Sequence, residues 1–345
     1  MNVTLLVFLC GVATPSLLCT VVPVPGSLDI SALMEKSDVV ASGTVQSIVS
    51  SEPEVITLNG VRVRRVLRKA EVLTWRIYKG VVKDKFTVSF YSYDNPSVIQ
   101  PAIKAGQFAL FFLHQGAPGN LSYSDDYFAR FFISKLADPT TASSGAIEML
   151  QADLIEGLAD ADHDQVGTNL ELLLGIKNSI KSPHLIHRAV PLLHNRDTRI
   201  AALAYAVLFK QCAMQDISGL KSFLDSVPVE REGGVLELAN NLCPSQLTDG
   251  QLQLLIEISG SKHRVIRNSA VNCLRQMNTR AAVPAMLARL DDPDPYIAFS
   301  ALKYLSEVTG LQSEEYSPDL PTFLQNRDGL VQKWKSWSAA TNNRR

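Results

Sequence analysis

Apolar residues recur at long, regular intervals through the second half of the chain. Five of them follow one another at steps of 34, 35, 31 and 31 residues, and each is followed by Leu or Ala and then by Leu at helical spacing. Intervals of this length are typical of stacked helical units, whose extended surfaces usually bind other molecules. The five triplets are Val166, Leu170 and Leu174; Ile200, Ala204 and Leu208; Val235, Ala239 and Leu242; Ile266, Ala270 and Leu274; and Ile297, Ala301 and Leu305.

The clearest unit runs over residues 263–290. Its apolar triplet predicts an amphipathic helix, and the small Ala270 at the centre lets a neighbouring helix approach closely. A turn at 278–279 precedes a second predicted helix, where Pro284 lies in the first turn and its missing N–H is harmless. The pattern is weakest over 212–246.

A different pattern, with period two, occupies residues 37–136 and predicts strands. The Asn-Gly pair at 59–60 separates two alternating runs and indicates a tight hairpin. Residues 86–90 alternate, 107–114 form a continuous apolar run typical of a strand covered on both faces, and 127–136 suit a further strand. Five or six strands without helical periodicity predict a small barrel or sandwich.

Several short segments in this region carry a family resemblance. They are SDVV at 37–40, GTV at 43–45, YKG at 78–80 and FALFFL at 108–113. Together they resemble the OB-fold domain of tissue inhibitors of metalloproteinases and their netrin-like relatives. The resemblance implies a small OB-like β-barrel.

The segment CTVVP at 19–23 resembles the start of a mature inhibitor of that family, where the N-terminal cysteine chelates the zinc of the protease. If cleavage follows Leu18, the resemblance implies a metalloprotease inhibitor that acts through Cys19. Val21 stands where the family has its second cysteine, and no cysteine occurs between 20 and 140, so the family's disulfides cannot form.

The paired helices, the Asp-Pro turn at 291–295 and the Ala/Leu core resemble HEAT repeats, in particular the short type of phycobilisome lyases. The resemblance covers 147–310 and implies an armadillo-like α-solenoid of about five helix pairs. In that family the second helix of each pair lines the concave face, which makes its polar residues candidates for binding. They are His187, Arg188, Lys221, Gln253, Glu257 and Arg289.

Residues 3–22 resemble a secretory signal peptide, although no Lys or Arg precedes the apolar core at 3–12. A transmembrane anchor is the alternative, and Pro15 and the short apolar run argue against it. We therefore expect an exported protein, periplasmic, cell-surface or secreted, with no transmembrane span in the mature chain. A lipid anchor at Cys19 is a further alternative, but Leu18 stands where a small residue is expected.

Composition agrees with a folded chain of two domains. Of 345 residues, 46% are hydrophobic and 19% charged, and the net charge is -1, which indicates neither disorder nor a general attraction to nucleic acid or membrane. The expected divisions are a signal peptide over 1–19, an OB-like β-barrel domain over 28–137, a linker over 138–146, a HEAT-like α-solenoid over 147–312, and a C-terminal cap helix and tail over 313–345.

Basic residues concentrate in the predicted strands between 62 and 85. Nine Lys and Arg are opposed there by two acidic residues, which leaves a local charge of +7. With the aromatic residues among them, they predict a surface for a polyanion or an acidic partner. Single-stranded nucleic acid is one alternative, and a merely solvated strand face is another. The nine are Arg62, Arg64, Arg65, Arg68, Lys69, Arg76, Lys79, Lys83 and Lys85.

Two groups of residues contain side chains of the types that bind metals, but each matches the spacing of a metal site only in part. Asp160, Asp162, Asp164 and Glu171 follow the spacing of a calcium loop, but Gln165 stands where the loop needs Gly. The segment is in phase with the later Asp-Pro turn, so we expect an inter-unit turn in which Asp caps a helix. The histidines of HLIHRAVPLLH, His184, His187 and His194, are expected to face solvent.

Cysteine and tryptophan have structural interpretations. Cys212, Cys243 and Cys273 fall in the helical units without metal or disulfide spacing, and we expect small apolar core residues. Trp334 and Trp337 lie three residues apart, so they share a helix face that would cover the last unit.

The predicted function is therefore that of an exported, non-catalytic binding or scaffold protein that uses its concave face for a protein partner. No motif of nucleophilic catalysis, phosphate binding or dinucleotide binding occurs, so we predict no catalytic residue, no metal and no cofactor. The alternatives are the inhibitor acting through Cys19 and an enzyme of unknown type, such as a lyase, for which nothing marks a bilin site.

Overall fold

A computed structural model describes residues 29–58, 61–93, 103–116, 121–123, 130–133, 145–160, 162–176, 182–213, 215, 217–243 and 247–342. Within these ranges the chain forms a mixed β-sheet followed by a series of helices. The expected combination of an N-terminal β part and a C-terminal α part is confirmed at this level.

The sheet part begins with one short helix. Asp29 caps this helix by accepting a hydrogen bond from the Ala32 amide, a role for which Asp is well suited. The elements are α1 (Ile30–Lys36), β1 (Val39–Ser50), β2 (Glu54–Leu58), β3 (Val61–Lys79), β4 (Lys85–Tyr93), β5 (Phe108–Gln115), β6 (Leu121–Tyr123) and β7 (Arg130–Phe132).

The strand pairings return to their starting point. Strand β1 pairs with both β3 and β5, β3 pairs with β4, β4 pairs in parallel with β6, and β6 pairs with β5. Strand β2 lies on β3, and β7 lies on β5. The apolar run of β5 is buried over five consecutive residues, as expected for a strand covered on both faces.

The predicted hairpin is confirmed, because Leu58 pairs with Val61 across a two-residue connection. The predicted strands at 86–90 and 107–114 correspond to β4 and β5, and of the segment 127–136 only Arg130–Phe132 is described as a strand. At Gly43 the two long strands approach so closely that a Cβ atom would lie 2.4 Å from the Leu73 carbonyl oxygen.

Twelve helices follow among the described residues, with 3-10 segments between some of them. Their bounds are α2 (Ala146–Glu156), α3 (His163–Gly175), α4 (Pro183–Ala189), α5 (Thr198–Lys210), α6 (Leu220–Ser226), α7 (Leu236–Asn240), α8 (Asp249–Ile258), α9 (Arg264–Met277), α10 (Val283–Arg289), α11 (Pro295–Thr309), α12 (Leu320–Gln325) and α13 (Arg327–Asn342).

All fifteen residues of the five apolar triplets are buried. The triplets lie on α3, α5, the segment 235–242, α9 and α11, and the helices α3, α5, α7, α9 and α11 pack each against the next. The predicted register of the apolar face is therefore confirmed. So is the helix pair over 263–290, which the structure forms as α9 and α10 with Pro284 in the first turn.

The third triplet stands on the least regular helix. Residues Val229–Val235 form a 3-10 segment in which Arg231 leaves the helical region, and α7 has only five residues. Gly233 and Gly234 follow within this segment and weaken a regular helix there, because glycine in a helix interior costs about 1 kcal/mol relative to alanine.

Aspartates cap three of the five helices that carry the triplets, as expected for the inter-unit turns, whereas α7 and α9 begin without one. Asp162 accepts hydrogen bonds from the amides of residues 164 and 165, and Asp197 and Asp294 occupy the same position before α5 and α11. The capping interpretation of the segment 160–164 is confirmed.

At the C-terminus, Trp334 is fully buried on α13. Its indole N–H donates to the Tyr316 carbonyl oxygen, and its ring contacts that of Trp337 at a centroid distance of 5.3 Å. The two tryptophans share one face of the helix, as their spacing predicts.

Candidate anion-binding groove

A groove of about 580 Å³ lies between the turn before α5, helix α6 and the 3-10 segment Val229–Val235. Two aromatic rings line it, those of Tyr205 and Phe223, whose centroids are 4.9 Å apart. We call it the Arg196–Arg231 groove after the two cationic side chains on its rim.

The groove carries positive charge without a carboxylate among its lining residues. Arg196 and Arg231 are exposed, and neither forms an ion pair with another described residue. Two of the acidic side chains next to these arginines in sequence are engaged within the chain: Asp197 caps α5, and Glu232 accepts a hydrogen bond from the Val265 amide at 2.8 Å. Glu230, which precedes Arg231, is exposed and does not line the groove. The two guanidinium groups are therefore free to bind an anion.

Tyr205 adds a neutral hydrogen-bond donor. Burial raises the pKa of its phenol, so the hydroxyl keeps its proton at physiological pH. Gly219 lies close by, and a Cβ atom there would be 3.3 Å from the hydroxyl oxygen. Within the described part of the chain this hydroxyl has no hydrogen-bond partner, so it is available to a ligand.

Local structure holds Arg196 in place. The Asn195 side chain accepts a hydrogen bond from the Asp197 amide at 2.8 Å, and Asp197 in turn accepts from the Arg199 amide at 2.8 Å. These two bonds fix the turn before α5. The side chains of Ser222 and His194 add to the polar lining. Guanidinium, hydroxyl and imidazole donors together suit a carboxylate or phosphate group.

The sequence contains a signal for this groove that lies outside the apolar triplets. Arg196 and Arg231 each stand four residues before the first residue of their triplets, Ile200 and Val235. Lys262 has the same position before the next triplet. Residues at one phase of a helical repeat lie side by side in neighbouring units, so three consecutive basic residues at that phase indicate a cationic row.

The six residues predicted to contact a partner lie on α4, α6, α8 and α10, and none of them lines the Arg196–Arg231 groove. Three are engaged within the chain: Arg188 with Glu156 at 2.6 Å, Lys221 with Asp225, and Arg289 with the Ser259 carbonyl oxygen at 3.2 Å. The other three, His187, Gln253 and Glu257, are exposed.

Glu156 of α2 also binds His184, at 2.6 Å, so a carboxylate from the preceding element reaches the predicted histidine pair. Burial opposes ionisation of Glu156, but hydrogen bonds from His184 and the positive charge of Arg188 outweigh it and lower the pKa of this carboxyl. The interaction is a structural link between α2 and α4.

The basic strand residues do not form one exposed surface. Arg76 is half-buried and pairs with the buried Asp153, and Lys79 donates to the carbonyl oxygens of residues 34 and 35 at the end of α1. Arg65 and Lys85 pair with glutamates of neighbouring strands. Arg62, Arg64, Lys69 and Lys83 are exposed. Cys19 lies outside the described residues, so the structure does not bear on its predicted role.

In comparisons with known proteins, no family model matches the chain, and no curated protein or solved structure gives a significant match. Among the helices described, none combines the length and the apolar character needed to cross a membrane.

Proposed function

We propose that this chain is a non-catalytic binding protein whose Arg196–Arg231 groove receives an acidic segment of a protein partner. The observation that carries the proposal is the pair of exposed arginines, without ion pairs to described residues, on the rim of a groove with an aromatic floor and a free phenolic hydroxyl. Arginine is the side chain best suited to bind carboxylates in two-point contacts.

In this proposal the helices form a HEAT-like solenoid. The support is the confirmed apolar register and the order in which α3, α5, α7, α9 and α11 pack. An array of this kind places neighbouring units side by side, so a partner segment can contact several units at once.

The sheet, in the same proposal, is an OB-like β-barrel. The support is the cyclic pairing of β1, β3, β4, β6 and β5, with its single parallel pair between β4 and β6. The N-terminal residues 1–19 serve as the signal peptide, so the protein acts outside the compartment where it is made.

A calorimetric titration tests this function. The probe is a decapeptide of glutamate, titrated into the wild-type chain and into the double variant Arg196→Gln/Arg231→Gln. The matched control is Arg62→Gln/Arg64→Gln, which removes the same charge from exposed positions on β3. A hydrogen bond to a charged group contributes about 1.5–3 kcal/mol, so each lost arginine weakens binding about tenfold or more.

The outcomes separate the two basic regions. Loss of affinity in the groove variant, with wild-type affinity in the strand variant, supports the proposal. Equal loss in both variants, or loss in the strand variant alone, overturns it, as does the absence of binding to the wild-type chain.

A further inference from the structure

Two cysteines that are far apart in sequence meet between neighbouring helices. Cys243 follows α7, and Cys273 lies on α9, which packs against α7. The Cys273 thiol lies 3.5 Å from the carbonyl oxygen of Leu242, the residue before Cys243. The Cys243 thiol lies 3.5 Å from the side-chain oxygen of Gln276, one turn beyond Cys273. Both thiols line one cavity of about 330 Å³.

The two thiols have unequal surroundings. Cys243 is exposed, whereas Cys273 is buried. A hydrogen bond from Cys273 lowers the pKa of the Cys243 thiol, and the same contact together with burial raises the pKa of the Cys273 thiol. An accessible thiol with a lowered pKa next to a second thiol is the arrangement in which oxidation proceeds to a disulfide.

We propose that Cys243 and Cys273 form a redox-sensitive pair that closes to a disulfide between the helices α7 and α9. This inference goes beyond the binding function and does not depend on it. It replaces the expectation that both cysteines serve only as apolar core residues.

The oxidant is a small-molecule or protein disulfide. The Cys243 thiolate attacks one sulfur of that disulfide, which releases one thiolate and leaves a mixed disulfide on Cys243. Cys273 then gives its proton to the released thiolate, and its own sulfur attacks Cys243. The second half of the oxidant leaves as a thiolate and takes up the proton of the original Cys243 thiol. Two thiols of this chain and one oxidant disulfide thus become one disulfide of this chain and two thiols of the oxidant.

The link closes a loop over residues 243–273, which contains α8, and ties the end of the least regular helix, α7, to α9. The 3-10 segment Val229–Val235 and the five-residue α7 depend on packing against α9, and a covalent bond there restricts their separation. Closing a loop of this size stabilises a protein mainly through the unfolded state, and we expect the Tm to rise by about 5–10 °C.

The test is oxidation of the full chain with oxidised glutathione, followed by peptide mapping under non-reducing conditions and thermal unfolding. We expect a peptide pair joined through Cys243 and Cys273, the loss of two hydrogens, and a higher Tm that dithiothreitol reverses. Cys243→Ser abolishes the link and the Tm shift, whereas Cys212→Ser retains both.

Three results would overturn the proposal: a stable glutathione adduct on Cys243, a link that includes Cys212, or unmodified thiols at 243 and 273. Cys243→Ser changes an exposed residue, so it leaves the fold intact and keeps the comparison interpretable.

Discussion

The Nη1 atom of Arg76 lies 2.6 Å from Oδ1 of the buried Asp153, and this largely buried ion pair joins strand β3 to helix α2. Tyr78 donates to the other carboxylate oxygen at 2.8 Å, so both oxygens of Asp153 are bound from the same strand. Burial raises the pKa of Tyr78, which keeps the phenol protonated as a donor. The sheet and the helices therefore share a polar contact at the point where they meet.

Replacing Asp153 by Ala removes the buried carboxylate that binds both the Arg76 guanidinium and the Tyr78 hydroxyl. Removing one partner of a buried ion pair costs about 3–5 kcal/mol, so we expect the free energy of unfolding to fall by that amount. Urea denaturation measures it. Glu71→Ala is the control, because it breaks the exposed pair with Lys85, and such pairs contribute about 0–1 kcal/mol. Equal losses in the two variants would contradict the role assigned to Asp153.

Two adjacent aspartates after α10 give a second matched comparison. Asp292 is buried and binds the Arg267 guanidinium through both oxygens, at 2.8 and 3.1 Å, whereas Asp291 is exposed and binds Lys335. We expect Asp292→Ala to lower the free energy of unfolding by about 3–5 kcal/mol and Asp291→Ala by about 0–1 kcal/mol. Chemical denaturation of both variants measures the free energy of unfolding. A larger loss in Asp291→Ala than in Asp292→Ala would refute the structural role assigned to Asp292.

Packing of the small residues in the triplets is tested with leucine. Ala270 and Ala301 are fully buried, so Leu at either position overpacks the contact between neighbouring helices and costs about 1–3 kcal/mol. Ala288 on α10 is exposed and serves as the control. The measurement is the Tm of each variant. If Ala270→Leu and Ala301→Leu have the same Tm as the wild-type chain, the assigned helical register is wrong.

Ala282 stands near the start of the second helix of its unit, and from the sequence alone this position predicts tolerance of a larger side chain. The prediction is wrong, because the structure buries Ala282 completely. It lies in the 3-10 segment Arg280–Ala282 and packs in the core, so Ala282→Leu belongs with the destabilising variants.

The acid stability of the protein depends in part on Glu156. Its folded pKa is lower than the ordinary carboxyl value of 4.5, because the partners His184 and Arg188 outweigh the effect of burial. Its contribution is therefore complete above pH 4.5 and is lost as the pH falls through the folded pKa. We expect Glu156→Gln to reduce the acid-dependent loss of Tm below pH 4.5. An unchanged slope of Tm against pH in this variant would contradict the prediction.

The helical register was predictable from the sequence because burial follows the helical period directly. Ile266, Ala270 and Leu274 follow one another at intervals of about one helical turn, so all three lie on the same helix face, and that face is buried in the core. The hairpin at Leu58 and Val61 was predictable for a similar reason, since the Asn-Gly pair specifies a two-residue connection.

Polar contacts between distant elements were not predictable in the same way. Arg76 and Asp153 are separated by 77 positions, so the sequence pattern around either residue does not predict that the two side chains are in contact. The number of basic residues in the strands predicted a common cationic surface, but a count of charges does not show which way each side chain points. Arg76 binds Asp153 of α2, and Lys79 binds the end of α1. Arg196 and Arg231 were not predicted, because the family resemblance points to the second helix of each pair, whereas both arginines precede the first.

The most direct test of the account is to locate a bound acidic segment. A glutamate decapeptide with a photoreactive terminal group is cross-linked to the full chain, and the labelled residues are identified by peptide mapping. The account predicts labels within 193–198 and 219–231, which line the Arg196–Arg231 groove, and their loss in Arg196→Gln/Arg231→Gln. Labels concentrated on 62–69 of β3, or unchanged labelling in the double variant, would contradict it.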